Sequence, residues 1–186
     1  MSKILMFSGS NNPKSINQIV INSVANMIDK DKRTVINLHD YQLPVYSFEL
    51  EAEGIPEKAR ELRKIIDGHN NFVIAVPEHN GSISAFFKNT MDWLSRVEKG
   101  YKLFTDKRVA LISASPVGGT ANALSHAEAI LKRLGATITD VVGIPKFFEE
   151  TVTTEKGIHF TDEELYRKLK NLAKNISEQQ PEPITI

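Results

Sequence analysis

The chain contains no cysteine. That absence excludes a disulfide framework, a thiolate nucleophile and a Cys-type zinc site. Net charge is missing as well, because 23 Lys and Arg residues balance 23 Asp and Glu residues. No bulk field therefore draws the protein to nucleic acid or to an anionic membrane. Long hydrophobic runs are also lacking. The apolar run in MSKILMFSGS is too short for a signal-peptide core or a membrane span, so a cytoplasmic location is expected. The five histidines show no i, i+4 spacing, which argues against a His-ligated metal. No G-x-S-x-G elbow is present, so a hydrolase of that kind is unsupported.

What is there reads as a globular chain: 186 residues, 41% hydrophobic and 25% charged. This predicts one domain over residues 1–178, followed by a frayed, proline-interrupted tail at 179–186. Short apolar runs alternate with stretches of helical period. Ile4–Phe7, Val35–Leu38, Phe72–Val76, Val109–Ile112 and Ile138–Val142 are the expected strands. Several are apolar throughout, as strands covered on both faces are. Between them, Ile16, Ile19, Val20, Val24, Met27 and Ile28 recur at helical spacing. So do Ala59, Leu62, Ile65 and Ile66 before Gly68; Phe86, Phe87, Met91 and Leu94; and Ala123, Ala127, Ile130, Leu131 and Leu134 before Gly135. After the fifth strand an irregular stretch leads to a last helix bearing Leu165, Leu169, Leu172 and Ile176, with Thr161 and Glu164 as its capping box. Five β-α repeats predict an α/β fold with a parallel sheet.

Ligands of such sheets sit at the carboxyl ends of the strands, where strand order reverses. Three loops there carry unusual chemistry. The first, FSGSNNPKSINQ, has Ser15 and Gln18 in a capping-box pattern and offers a helix N-terminus rich in hydroxyls. Ser10, Ser15 and Asn17 would donate to a phosphate, and Lys14 would add charge. The plainer reading is a capped helix and a solvated loop. The pattern is neither G-x-G-x-x-G nor G-x-x-x-x-G-K-[ST], which favours a single phosphate monoester over a dinucleotide or a nucleoside triphosphate. The second loop, VPEHNGSIS, places Glu78, His79 and Asn80 between Pro77 and Gly81. Its backbone could read the rim of a flat heterocycle; otherwise Pro77 and Gly81 make a turn and the polar residues face water. In the third, SASPVGGTANAL, Gly118 and Gly119 either admit a ligand close to the backbone or simply start a helix.

The segments SGSNNPKSIN, VPEHNGSISAFFKNTMDWLSR and SASPVGG resemble the NADPH-dependent FMN reductase family. The similarity extends through LPVYSFELEAEGIPEKARELR. It implies a flavodoxin-like three-layer sandwich with a five-stranded parallel sheet in the order 2-1-3-4-5 and helices on both faces. It further implies FMN as cofactor and NADPH or NADH as reductant, with a flavin, quinone, azo compound or metal ion as small-molecule electron acceptor. The phosphate would sit on Ser10, Ser15, Ile16 and Asn17, with Asn12 beside it. Pro77, Glu78, His79, Asn80 and Gly81 would line the isoalloxazine, and Ser115, Gly118 and Gly119 its other edge. The resemblance also implies a homodimer or homotetramer, and Trp93, off the Phe87/Met91 stripe, is a candidate for its interface or a partly buried core residue.

This chain departs from the family pattern in four places. Asn12 stands where an arginine is usual, His79 where a tyrosine is usual, and Ser84-Ala85 where Pro-Gly is common; the third loop is shorter. An electron carrier of flavodoxin type is a competing expectation, weakened by the neutral charge. A flavin-free protein acting through contacts is another, kept open by Asn12. No catalytic side chain is expected, and the basic residues considered for a pyridine-nucleotide phosphate are Lys14 and Arg96.

Overall fold

The computed structural model describes residues 3–98, 102–154 and 157–178. The expected tail at 179–186 lies outside them. In chain order the elements begin with β1 (Ile4–Ser8), α1 (Ile16–Ala25), β2 (Arg33–Val35), α2 (Phe48–Glu53) and α3 (Glu57–Asp67). Then come β3 (Asn71–Ala75), β4 (Glu78–His79), β5 (Ser82–Ile83), α4 (Ala85–Val97), β6 (Arg108–Ala114) and α5 (Ala121–Arg133). The chain continues with β7 (Thr137–Ile144), α6 (Phe147–Glu150), β8 (Thr151–Thr154), β9 (Gly157–Phe160) and α7 (Glu163–Glu178). The main sheet runs β2-β1-β3-β6-β7 with every pairing parallel. In terms of its main strands that is the 2-1-3-4-5 order of a flavodoxin-like fold. The order in which strands are added reverses direction between β1 and β3, which is where the first and second loops emerge side by side.

Period-two alternation divides the core. Ile4, Met6, Val73, Ala75, Ala110 and Ile112 face α1 and α7. Leu5, Phe7, Phe72, Ile74, Val109 and Leu111 face α3, α4 and α5. Neighbouring residues thus bury opposite faces of one sheet, which is why the strands read as unbroken apolar runs. Each fully buried Val, Leu, Ile, Phe or Met among them contributes about 1.5–3 kcal/mol of hydrophobic stabilisation.

Four expectations are corrected. The second strand is Arg33–Val35, with Ile36 N–H still donating to Met6 O at 3.0 Å, and Leu38, itself buried, opens a 3₁₀ turn. This is an edge strand, half-solvated, so polar Arg33 and Thr34 are tolerated and the apolar run misplaced it by two residues. Trp93 is fully buried rather than partly buried or interfacial: the chain at 43–48 crosses over it, and Trp93 Nε1 donates to Pro44 O at 2.8 Å. The cap of α7 is Asp162, whose Oδ1 accepts from Glu164 N–H (2.8 Å) and Leu165 N–H (3.0 Å). Thr161 instead donates to Glu149 O at 3.3 Å. The stretch expected to be irregular contains the β8–β9 hairpin, whose Phe160 is buried against α1 and α7.

Candidate flavin site

The first loop leaves β1 at Ser8 and is shaped by close contacts on both sides. Gly9 passes so near Phe87 that a Cβ there would lie 2.8 Å from the ring. Ser84, buried at the N-cap of α4, donates to Gly9 O at 2.7 Å and accepts from Phe87 N–H at 3.1 Å. One hydroxyl therefore caps a helix and anchors the loop before it. The expected capping box at α1 does not form. Gln18 Oε1 reaches back past it to accept from Ser8 N–H at 3.3 Å, and the Ser15 hydroxyl makes no cap bond.

That difference leaves donors unspent. At a helix start the first N–H groups have no intrahelical acceptor; here these are Ile16, Asn17 and Gln18, and Ser15 N–H is used by Asn12 O at 3.0 Å. No acidic residue stands between Ser8 and Ser15 or in the first turn of α1. A site with N–H groups, a free hydroxyl and no carboxylate suits a phosphate. The Asn17 side chain, by contrast, is not available to one. Its Nδ2 donates to Ala114 O (2.9 Å) and its Oδ1 accepts from Ala114 N–H (2.8 Å), both buried. Asn17 can offer an anion only its backbone. Asn12 is exposed and only in part engaged: its Oδ1 accepts from Lys14 N–H at 2.9 Å and its own N–H donates to Ser10 Oγ at 3.2 Å.

The second loop is a miniature hairpin. β4 and β5 pair antiparallel, Glu78 with Ile83 and His79 with Ser82. Asn80 (φ 51°) and Gly81 (φ 75°) form its turn, both in the left-handed region that a two-residue type I′ hairpin demands. Asn-Gly is the sequence signal for that turn. Glu78 is half-buried, and its Oε2 accepts from Ala123 N–H at 3.0 Å, capping α5 from another loop, while His79 and Asn80 are exposed. The helix N-terminus stabilises the carboxylate placed there. Gly119 (φ 80°) must lack a side chain, since a Cβ would sit 2.9 Å from Glu78 Oε1. In the third loop Ser115 Oγ donates to Gly118 O, and Ser115 N–H is held by Ile144 O at 2.9 Å.

The rim is thus tied across: Ser84 joins the second loop to the first, Glu78 joins it to the third, and Asn17 joins the first to the end of β6. Sequence patterns brought the three loops together but missed these ties, which connect residues 45 to 97 positions apart. Arg96 is set apart from the rim. It stacks over Tyr46 at 5.4 Å and lies 3.7 Å from Glu51, on the last turn of α4.

Residues 2–149 match the family model for NADPH-dependent FMN reductase. An NAD(P)H-dependent FMN reductase of Pseudomonas aeruginosa is 30% identical over 126 residues, 67% of this chain and 66% of that one. An NAD(P)H:quinone oxidoreductase of Solanum tuberosum is 28% identical over 177 residues, 90% and 87% of the two chains. Some other curated relatives, a protein of Mycoplasma pneumoniae and a 2-hydroxy-1,4-benzoquinone reductase of Burkholderia sp among them, are matched over only about half their length. Among solved structures, a flavoenzyme NAD(P)H:(acceptor) oxidoreductase from Paracoccus denitrificans superposes with a TM-score of 0.76 at 23% identity, covering 95% of this chain and 96% of that one. The parallel order of the sheet, the three loops at its reversal point and a match over most of the sequence agree: the chain belongs to the NADPH-dependent FMN reductase family.

Proposed function

We propose that this protein binds FMN at the rim and uses NADPH or NADH to reduce a small-molecule acceptor. The observation that supports this most is the α1 N-terminus, with its uncommitted Ser15 hydroxyl, three free N–H groups and no carboxylate. Ser15, Ile16 and Asn17 hold the phosphate, the last two through backbone N–H. The hairpin from Pro77 to Gly81 and the third loop at Ser115, Gly118 and Gly119 bound a slot for a flat ring. Bound FMN would supply the redox chemistry, accepting hydride from the nicotinamide and passing two electrons to the acceptor. The protein's part is orientation and exclusion of water, so no side-chain acid or base is assigned. Relatives named as quinone reductases and an azoreductase support a quinone or azo compound as acceptor, and one named as an FMN reductase supports a flavin. The family resemblance further supports a homodimer or homotetramer, which light scattering on the purified protein measures.

The test is spectroscopic. Apoprotein titrated with FMN should acquire perturbed flavin bands, and NADPH added without oxygen should bleach them. A protein that leaves FMN unperturbed at high concentration overturns the reading and favours the flavin-free alternative; a stable one-electron species with negligible NADPH oxidation favours an electron carrier. Asn12→Arg sharpens the test. With no arginine in the first loop, a charge-assisted phosphate bond is missing, and restoring it should tighten FMN binding about tenfold. No gain for the variant would count against phosphate at this position.

A further inference from the structure

Beyond Ser115, two backbone segments run together and leave apolar side chains in water. Ser115 N–H donates to Ile144 O and Phe147 N–H donates to Ser115 O, each at 2.9 Å. The pairing of β6 with β7 therefore continues past Ala114 into the third loop. Pro116 and Val117 on one segment, and Pro145 and Phe148 on the other, are exposed. Val117 is 89% exposed and Phe148 is 68% exposed. Phe147 is buried in the core, and its ring meets that of Phe148 edge-on at 5.3 Å. The second phenylalanine is thus presented from a fixed base. Single apolar residues at a surface need no explanation, but a patch built on two bonded segments does. The charges beside it are spent on one another. Lys146 Nζ donates to Glu149 Oε2, and Lys146 N–H donates to Glu150 Oε2, both at 3.1 Å.

We propose that Val117 and Phe148 form an apolar lip on the third-loop side of the flavin slot, which seats the acceptor's ring and selects uncharged quinones over anionic acceptors. The lip's role rests on the flavin reading, in which Ser115, Gly118 and Gly119 bound the slot. Val117 stands between Ser115 and Gly118, and Phe148 follows the residue bonded to Ser115, so both flank that edge. A flat, uncharged ring displaces water from valine and phenylalanine without any charge to desolvate. An anion there would meet Glu149 and Glu150, and Lys146 beside them is already paired. Overall, NADPH and one solvent proton give NADP+ and the hydroquinone, so two electrons and two protons reach the seated ring.

The test uses the full chain loaded with FMN and a double variant, Val117→Ser with Phe148→Ser. Steady-state reduction of 2-methyl-1,4-naphthoquinone is compared with that of its sulfonated counterpart and of ferricyanide, a small anion with no ring to seat. The double variant should raise KM for the neutral quinone about tenfold, leaving kcat and the ferricyanide rate unchanged. Without NADPH, magnetisation transfer from protein to the neutral quinone should fall in parallel, a readout that needs no turnover. FMN affinity and the anaerobic bleaching rate with NADPH should stay at their wild-type values. Wild-type protein should bind the sulfonate at least about tenfold more weakly than the neutral quinone. Equal KM for the two quinones overturns the selection by charge. Normal bleaching with an unchanged quinone KM, as when a second copy of the chain covers the lip, overturns the lip alone. Slower bleaching or weaker FMN binding in the variant gives these side chains to the nicotinamide or the flavin, and overturns it too. A wild-type protein that binds no FMN ends the flavin reading and the lip with it.

Discussion

At the amino ends of the parallel strands, Lys107 and Arg108 are buried and their polar groups serve the fold. Lys107 Nζ donates to His69 O at 2.7 Å and lies 5.8 Å from the centroid of the Phe72 ring. Arg108 reaches Asn71 Oδ1 at 3.4 Å and Asn175 O at 3.5 Å. At the carboxyl ends the pattern differs. Asn17, Glu78 and Ser84 are spent on tying loops together, yet Ser15 Oγ and the first three N–H groups of α1 have no partner among the described residues. Buried polar groups are costly unless matched. The first end is therefore a closed seam, and the second is a braced opening whose remaining donors await a ligand.

The largest test of that bracing is Asn17→Ala. It strips both partners from the buried backbone of Ala114, and each orphaned group costs about 1–3 kcal/mol, so a loss of about 2–6 kcal/mol is expected in urea unfolding. FMN affinity should fall with it, because the loop and β6 would part. A loss below about 1 kcal/mol would mean that water replaces the carboxamide and that Asn17 braces nothing.

Glu78→Ala comes next. Removing the cross-loop cap of α5 should cost about 1–2 kcal/mol. Glu78→Gln keeps an acceptor for Ala123 N–H and should recover most of the stability. If glutamine and alanine destabilise equally, the carboxylate's charge at the helix N-terminus matters and the hydrogen bond does not.

These two residues also mark the limit of what was legible in the sequence. The parallel sheet, the long helices and the position of the three loops follow from periodicity, because the two faces of the sheet are buried uniformly, whereas the strand order comes only with the family resemblance. The Asn80-Gly81 dipeptide is itself a turn signal, and both positions have positive φ; only the pairing of β4 with β5 makes the loop a hairpin. Local capping patterns misled twice. Ser15/Gln18 and Thr161/Glu164 have the right spacing, but Gln18 had a nearer donor in Ser8 and Asp162 stood one residue closer to α7. Asn17 and Glu78 looked like ligand residues because they are polar at a strand end. Their partners are 97 and 45 positions away, and no local pattern encodes such a distance.

Ser15→Ala sharpens the contrast from the other side. An N-cap serine normally stabilises its helix, but this hydroxyl makes no cap bond, so stability should change by less than about 0.5 kcal/mol. FMN affinity should drop about three- to tenfold, the loss of one hydrogen bond to a phosphate. Stability lost without affinity lost would show that the hydroxyl caps the helix in solution and leave the phosphate without it.

The smallest effect belongs to the closed end. Burial, opposed in part by Asp67 and Asp106, lowers the pKa of Lys107 from its ordinary 10.5. Between the folded value and 10.5 the unfolded chain binds a proton that the folded chain has released, so stability from this group rises with pH across that window. Below the window both states are charged and the burial penalty stands in full; above it both are neutral and the gain is complete. Lys107→Met removes the titration. The stability difference, wild type minus variant, should therefore be flat near neutrality and climb in favour of wild type as pH approaches 10.5. A difference that stays flat through the alkaline range would mean the ammonium keeps its water through the His69 carbonyl. The closed end would then be wetter than its packing implies, and the contrast between the two ends would narrow to the bracing of the rim alone.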